Sequence, residues 1–149
     1  MRERPSARLL VLDPHDRLLL FKFVHLAGAL TGTQFWATPG GGVHPGESYE
    51  AAACREMFEE TGICIDDPGP QIAQRLVTFT MVDGEEVSSD ERYFLVRVAR
   101  ADLSSMHWTE LERAAIAGQH WWRQAELAEA ADTVHPEDII DILTRARVW

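Results

Sequence analysis

The chain is poor in the features that would place it outside the ordinary globular proteins. Only two cysteines occur in 149 residues, Cys54 and Cys64, and neither has a His or Cys partner at zinc-ligand spacing. A disulfide scaffold and a zinc site are therefore both excluded, and a reduced, buried thiol is the expected state of Cys54. No run of 18 or more apolar residues occurs, and Met1-Arg2-Glu3-Arg4-Pro5 lacks the apolar stretch of a signal peptide. These absences point to a cytoplasmic protein with no membrane partner. Basic residues are also scarce: 14 Lys and Arg stand against 24 Asp and Glu, for a formal net charge of −10. Stable nucleic-acid binding, which needs cations to neutralise phosphates, is not expected. A phosphorylated small molecule is still compatible, because a bound divalent cation reverses the local sign.

A hydrophobic content of 46% over 149 residues is enough for one compact domain, 1–149, with a real core. Ala7 to Leu12 reads as an apolar strand, Asp13-Pro14-His15-Asp16 as a turn, and Arg17 to Val24 as a second strand. Residues 25–34, with the small residues Ala27, Gly28 and Gly32, form a loop long enough to contact a substrate. Phe35 to Thr38 is the next strand, with Trp36 read as packing rather than as a stacking platform.

The most informative stretch begins at Pro39-Gly40-Gly41-Gly42 and ends at Ile63. Ser48 suits an N-cap and Gly62 a left-handed C-terminal position, which predicts a helix over 49–61. At about 100° per residue, Glu56, Glu59 and Glu60 share one arc of roughly 100°. Ala51, Cys54, Met57, Phe58 and Thr61 take the other side, which is the expected core face. Acidic helix faces are usually just solvated, yet Glu56 and Glu60 repel each other at i,i+4, and a divalent cation would compensate. Arg55 can neutralise or orient a neighbouring carboxylate. The preceding glycines let backbone approach closely.

Downstream, Asp66-Asp67-Pro68-Gly69-Pro70 is a break, 71–82 and 92–100 read as strands, and Asp83-Gly84 as the turn between them. Residues 109–117 read as a short acidic turn or helix, His120-Trp121-Trp122 leads into a helix over 124–130, and Pro136 fits the first turn of a C-terminal helix with Ile139, Ile142, Leu143 and Ala146 as its stripe. Strands flanking an acidic helix, then a hairpin and a terminal helix, indicate a mixed sheet with helices on both faces.

Gly41, five residues, Glu47, seven residues, Arg55-Glu56-Met57, one residue, Glu59-Glu60, one residue and Gly62-Ile63 resemble the signature of the Nudix hydrolases without a substitution. With average residue usage, such a match arises by chance on the order of 10⁻⁹ to 10⁻¹⁰ per starting point. The resemblance implies an α/β/α sandwich with a mixed sheet and hydrolysis of a diphosphate linkage in a nucleoside diphosphate joined to a group X, with Mg²⁺ or Mn²⁺. It assigns metal binding to Glu56, Glu59, Glu60 and the Gly40 carbonyl, a carboxylate-orienting role to Arg55, and a structural role to Glu47. The general base differs among these enzymes. Here it is either Glu56 or a glutamate outside the motif, for which Glu110 and Glu112 are candidates and Glu112 is preferred. A homodimer is implied as well, since family members are often dimers. The alternative within the family is a module that binds a nucleotide without hydrolysing it, against which the retained carboxylates speak. The proline or tyrosine that marks ADP-ribose and diadenosine polyphosphate subclasses is missing; Thr78, Phe79, Thr80 and Met81 stand there instead.

Overall fold

A computed structural model describes residues 1–25 and 28–149, and among these nine strands join in one mixed sheet. Its centre is β2 (Ser6–Leu12), following the short β1 (Arg2–Glu3). Ala7, Leu9 and Val11 face one side of the sheet and Leu10 and Leu12 the other, so β2 is buried on both faces. This accounts for an apolar run in place of a clean alternation. Asp13 accepts bonds from the His15 and Arg17 N–H groups, both at 2.9 Å, and so fixes the turn into β3 (Leu18–Val24).

The strands β2 and β3 are paired only at Leu12 and Leu18, and diverge from there. In the gap lies one segment that changes partners. As β4 (Gln34–Ala37) it pairs with β3, and as β5 (Gly40–Gly42) it pairs with Ser6, Ala7 and Arg8 of β2. The split therefore carries the three glycines into the middle of the sheet. The other edge of β2 pairs in parallel with β7 (Glu86–Arg97), which forms a long hairpin with β6 (Gln71–Thr80).

Two apolar layers cover the sheet. On one face, Ala52, Ala53 and Met57 of α1 (Tyr49–Thr61) pack on Ala7, Leu9, Leu19, Phe21 and Phe94. On the other, Leu127 of α3 (Gln124–Ala128) and Ile139, Ile142 and Leu143 of α4 (Ile139–Arg145) pack on Leu10, Leu18 and Leu20. The expected sandwich with helices on both faces is present, and α1 has the expected bounds. Between the layers in sequence lies α2 (Glu110–Ala115).

Several elements differ from the sequence reading. A strand, β8 (Ile116–Trp122), stands where a turn or helix was expected to run through residue 117. It pairs antiparallel with β3 from Leu18–Trp122 to Phe23–Ile116, and that partner overrides a local pattern with no strong strand signal. The strand β7 begins at Glu86 rather than 92, because the polar run Glu86–Glu91 pairs across the hairpin with Thr80–Arg75. Pro136 lies outside α4, whose N-cap is Asp138. The chain just before it is extended as β9 (Val134–His135), held against Trp36 and Ala37. Trp36 packs edge-on against Trp122 with ring centroids 5.1 Å apart, which agrees with the packing reading. Within the loop 25–34, Gly28 and Gly32 are in turns of positive φ, while Ala27 lies outside the described residues.

Candidate active site

The acidic helix is capped as its sequence requires. Ser48 Oγ accepts from the Ala51 N–H at 3.0 Å, and Gly62, at φ 76°, donates its N–H to the Phe58 carbonyl at 2.9 Å. Its buried side is different from the expected one. Ala52, Ala53, Glu56, Met57, Glu60 and Thr61 are buried, whereas Ala51 and Phe58 are exposed and Cys54 is half-buried. On the helical wheel those buried residues sweep a continuous arc of about 180° that includes two of the three acids. Glu56 and Glu60 thus lie within the packed face and point into the split in the sheet, while Glu59 sits just beyond its edge.

Room for them comes from the glycines of β5. A Cβ on Gly41 would stand 2.5 Å from Glu56 Oε1, and the Gly40 N–H donates to Glu60 Oε2 at 3.0 Å. Gly40 has φ 137°, a conformation other residues rarely adopt, and a side chain there would collide with the Ala7 carbonyl. Glu112 reaches the same place from α2, where it also closes a capping box with Thr109. Oxygens of Glu56, Glu60 and Glu112 all lie within 4.8 Å of one another. Glu59 is placed differently: its side chain is 35% exposed and is held by Arg55 Nη1 at 3.3 Å. Glu110 is exposed and takes no part in the cluster.

Arg55 organises the approach to these acids. It donates through Nε and Nη2 to both oxygens of Glu47, each at 2.9 Å, through Nη1 to Glu56 at 3.0 Å, and through Nη2 to the Gly42 carbonyl at 2.9 Å. The twofold grip on Glu47 brings that carboxyl down to about 2 and raises the guanidinium further above its ordinary value. Glu56 and Glu60 shift the opposite way. Burial is the largest cause for both; it outweighs Arg55 at Glu56, and at Glu60 the neighbouring Glu56 and Glu112 add to it against the single Gly40 N–H.

A buried acid group lacking a cationic side chain within salt-bridge distance, Glu60 among the described residues, is costly to ionise. Three carboxylates converging on one point supply hard oxygen donors of the kind that suit a divalent cation. The residues therefore fit a metal of this type.

Trp108 carries no mark of its role in the sequence. Its indole N–H donates to the Glu60 carbonyl at 2.8 Å, and its ring meets Phe21 edge-on at 5.9 Å. A lone Trp in a polar segment gives no signal of such a contact. The Thr109-x-x-Glu112 spacing, by contrast, is a capping-box signature, and it could have located the start of α2.

A family model for the NUDIX domain matches residues 2–141. The chain belongs to the Nudix family. A prenyl-diphosphate phosphatase of Methanosarcina mazei is 31% identical over 112 residues, which are 72% of this chain and 64% of that protein. An RNA pyrophosphohydrolase of Rickettsia conorii is 28% identical over 104 residues, 63% of this chain and 60% of that protein. The match thus spans less than two thirds of the length of these curated relatives. Among solved structures, a MutT protein from Methanosarcina mazei Go1 superposes with a TM-score of 0.64 at 24% identity, covering 97% of this chain and 92% of its own, and supports the fold.

Proposed function

We propose that the chain hydrolyses a phosphoanhydride bond in a nucleoside diphosphate linked to a further group X, using Mg²⁺ or Mn²⁺. The observation that carries this reading is the convergence of Glu56, Glu60 and Glu112 on one point beside the glycine strand. In this reading Glu56, Glu60 and the Gly40 carbonyl hold the cation, with Glu59 joining them from the exposed side. When bound, the cation supplies charge neutralisation at phosphoryl oxygens and acidifies water. The protein's own groups do the rest. Arg55, fixed by Glu47, keeps Glu56 oriented, and Glu56 or Glu112 receives the proton of the attacking water. A net charge of −10 favours a small phosphorylated substrate over a polyanion, and no helix among the described residues is long and apolar enough to cross a membrane. We place the reaction in the cytoplasm, carried out by a single domain that forms a homodimer.

For X, the same sheet face offers Phe23 and Phe35, half-buried rings stacked 5.5 Å apart at an interplanar angle of 20°. A planar base can stack on such a pair. The deciding experiment separates and identifies the phosphorylated products (nucleoside monophosphate, sugar phosphate, pyrophosphate or phosphate) formed from nucleoside triphosphates, nucleotide sugars, ADP-ribose and prenyl diphosphates in Mg²⁺ and Mn²⁺, against an EDTA control. Hydrolysis that needs metal and falls by about 100-fold or more in Glu56→Gln, Glu60→Gln or Glu112→Gln is expected. Near-normal rates in all three variants, or equal rates in EDTA, would overturn the reading.

A further inference from the structure

Glu112 is the one member of the carboxylate cluster that does not belong to α1 or to the motif, so something must bring it there. The segment from Ser104 to Glu112 is fastened to the C-terminal end of α1 by two hydrogen bonds and by the packing of the His107 ring on Phe58, with centroids 4.5 Å apart. The Ser104 N–H donates to the Thr61 carbonyl at 2.9 Å, and the Trp108 indole N–H donates to the Glu60 carbonyl at 2.8 Å. The second bond has the closer bearing on the cluster, because its acceptor is the backbone of a cluster residue. The Trp108 ring is set by Phe21, edge-on at 5.9 Å, and Phe21 is fully buried in the sheet. A rigid strand thus fixes the ring, and the ring fixes the chain on either side of it.

Immediately after Trp108, Thr109 caps α2. Its Oγ1 accepts from the Glu112 N–H at 3.1 Å, and its own N–H donates to Glu112 Oε1 at 2.9 Å. The capping box clamps the Glu112 side chain back over the first turn, with that oxygen engaged by the backbone of residue 109. The position of Glu112 relative to Glu56 and Glu60 is therefore set by the placing of residues 108 and 109, four and three positions earlier. Helix α2 has only six residues and is tied back to the same segment by Arg113, whose Nη2 donates to the Ser105 and Met106 carbonyls at 2.9 and 3.2 Å, so its placing follows that of residues 104–109.

We infer that Trp108 is a positioning residue of the active site: its indole N–H, bonded to the Glu60 carbonyl, latches α2 to α1 and so sets the distance of Glu112 from Glu56 and Glu60. This rests on the proposed function, in which Glu112 serves the reaction. Trp108 touches neither substrate nor cation. It acts through the backbone of Glu60 on one side and through the Thr109 cap on the other. Partners that orient metal-binding groups typically change affinity or activity by about 10- to 100-fold when removed.

The test is a double-mutant cycle on the full chain with Trp108→Phe and Glu112→Gln, read by Mn²⁺ titration calorimetry without substrate and by steady-state hydrolysis. Phenylalanine keeps a ring against Phe21 and removes the donor, and the packing lost with the smaller ring is read by the Ile116→Val control. In the native background, Trp108→Phe is expected to weaken Mn²⁺ binding and lower kcat by about tenfold or more, with KM changed by less than about twofold. In the Glu112→Gln background the same substitution is expected to change neither quantity, because the residue it positions is already disabled. Equal losses in both backgrounds, or no loss in the native one, would overturn the inference. Ile116→Val serves as the control for lost packing; if it lowers Mn²⁺ affinity as much as Trp108→Phe does, the effect is one of general stability and the inference fails. Absence of hydrolysis by the native protein on every substrate would count against the proposed function, whereas the Mn²⁺ cycle would still decide the latch.

Discussion

Gly41 lies against the carboxylate of Glu56, so close that the smallest side chain would stand 2.5 Å from Oε1. The φ of Gly41 is outside the left-handed region, so alanine fits the backbone and conflicts only with the acid. Gly41→Ala should therefore leave the fold intact while displacing Glu56 from Glu60 and Glu112. Mn²⁺ affinity measured by calorimetry should fall by about tenfold or more. An unchanged affinity would show that the fit between glycine and carboxylate has no bearing on the metal.

Glu47 offers a pH test. Its folded value is about 2, against an ordinary 4.5, because Arg55 grips both oxygens. A depressed value means that the stabilisation is complete above the unfolded value and is lost as pH falls from about 4.5 to about 2. The melting temperature of the native protein should exceed that of Glu47→Gln by a constant margin above about pH 5.5, and the margin should close toward pH 2. A margin independent of pH across that range would refute the ionic origin of the contact.

Glu60 should behave in the opposite sense. Burial and two neighbouring acids raise its value, so in metal-free protein the unfolded chain ionises first as pH rises, and stability declines through the interval from 4.5 up to the raised folded value. The amide in Glu60→Gln carries no charge and can still accept the Gly40 N–H. In EDTA the variant should melt above the native protein at pH 7.5 and about level with it near pH 4. Adding Mn²⁺ should raise the native melting temperature and leave the variant unmoved. A variant less stable than native in EDTA at both pH values would contradict the account of Glu60 as a strained acid.

How much of this was legible in the sequence follows from where each signal resides. The bounds of α1 were written locally, in Ser48 and Gly62, and they stand as read. The buried side of that helix is not written there, because apolarity marks the core in a sequence and two of the buried residues are glutamates. Only the split between β2 and β3, a property of strand pairing, explains how acids come to be inside. Likewise β8 is a strand because β3 lies beside it, and Glu112 meets Glu56 because Trp108 fastens a distant segment to α1. The preference for Glu112 over Glu110 came from family resemblance, and the geometry puts Glu112 in the cluster.

The double burial of the central strands has one more consequence. Leu9 and Leu10, or Leu19 and Leu20, are neighbours in the chain yet belong to separate apolar compartments with different helices as lids. The sheet acts as a partition wall: the helices α3 and α4 close one compartment and α1 closes the other, which houses the acids. The same two strands thereby serve two separate interiors, one that carries the acidic helix and one whose buried cluster is made of hydrophobic side chains.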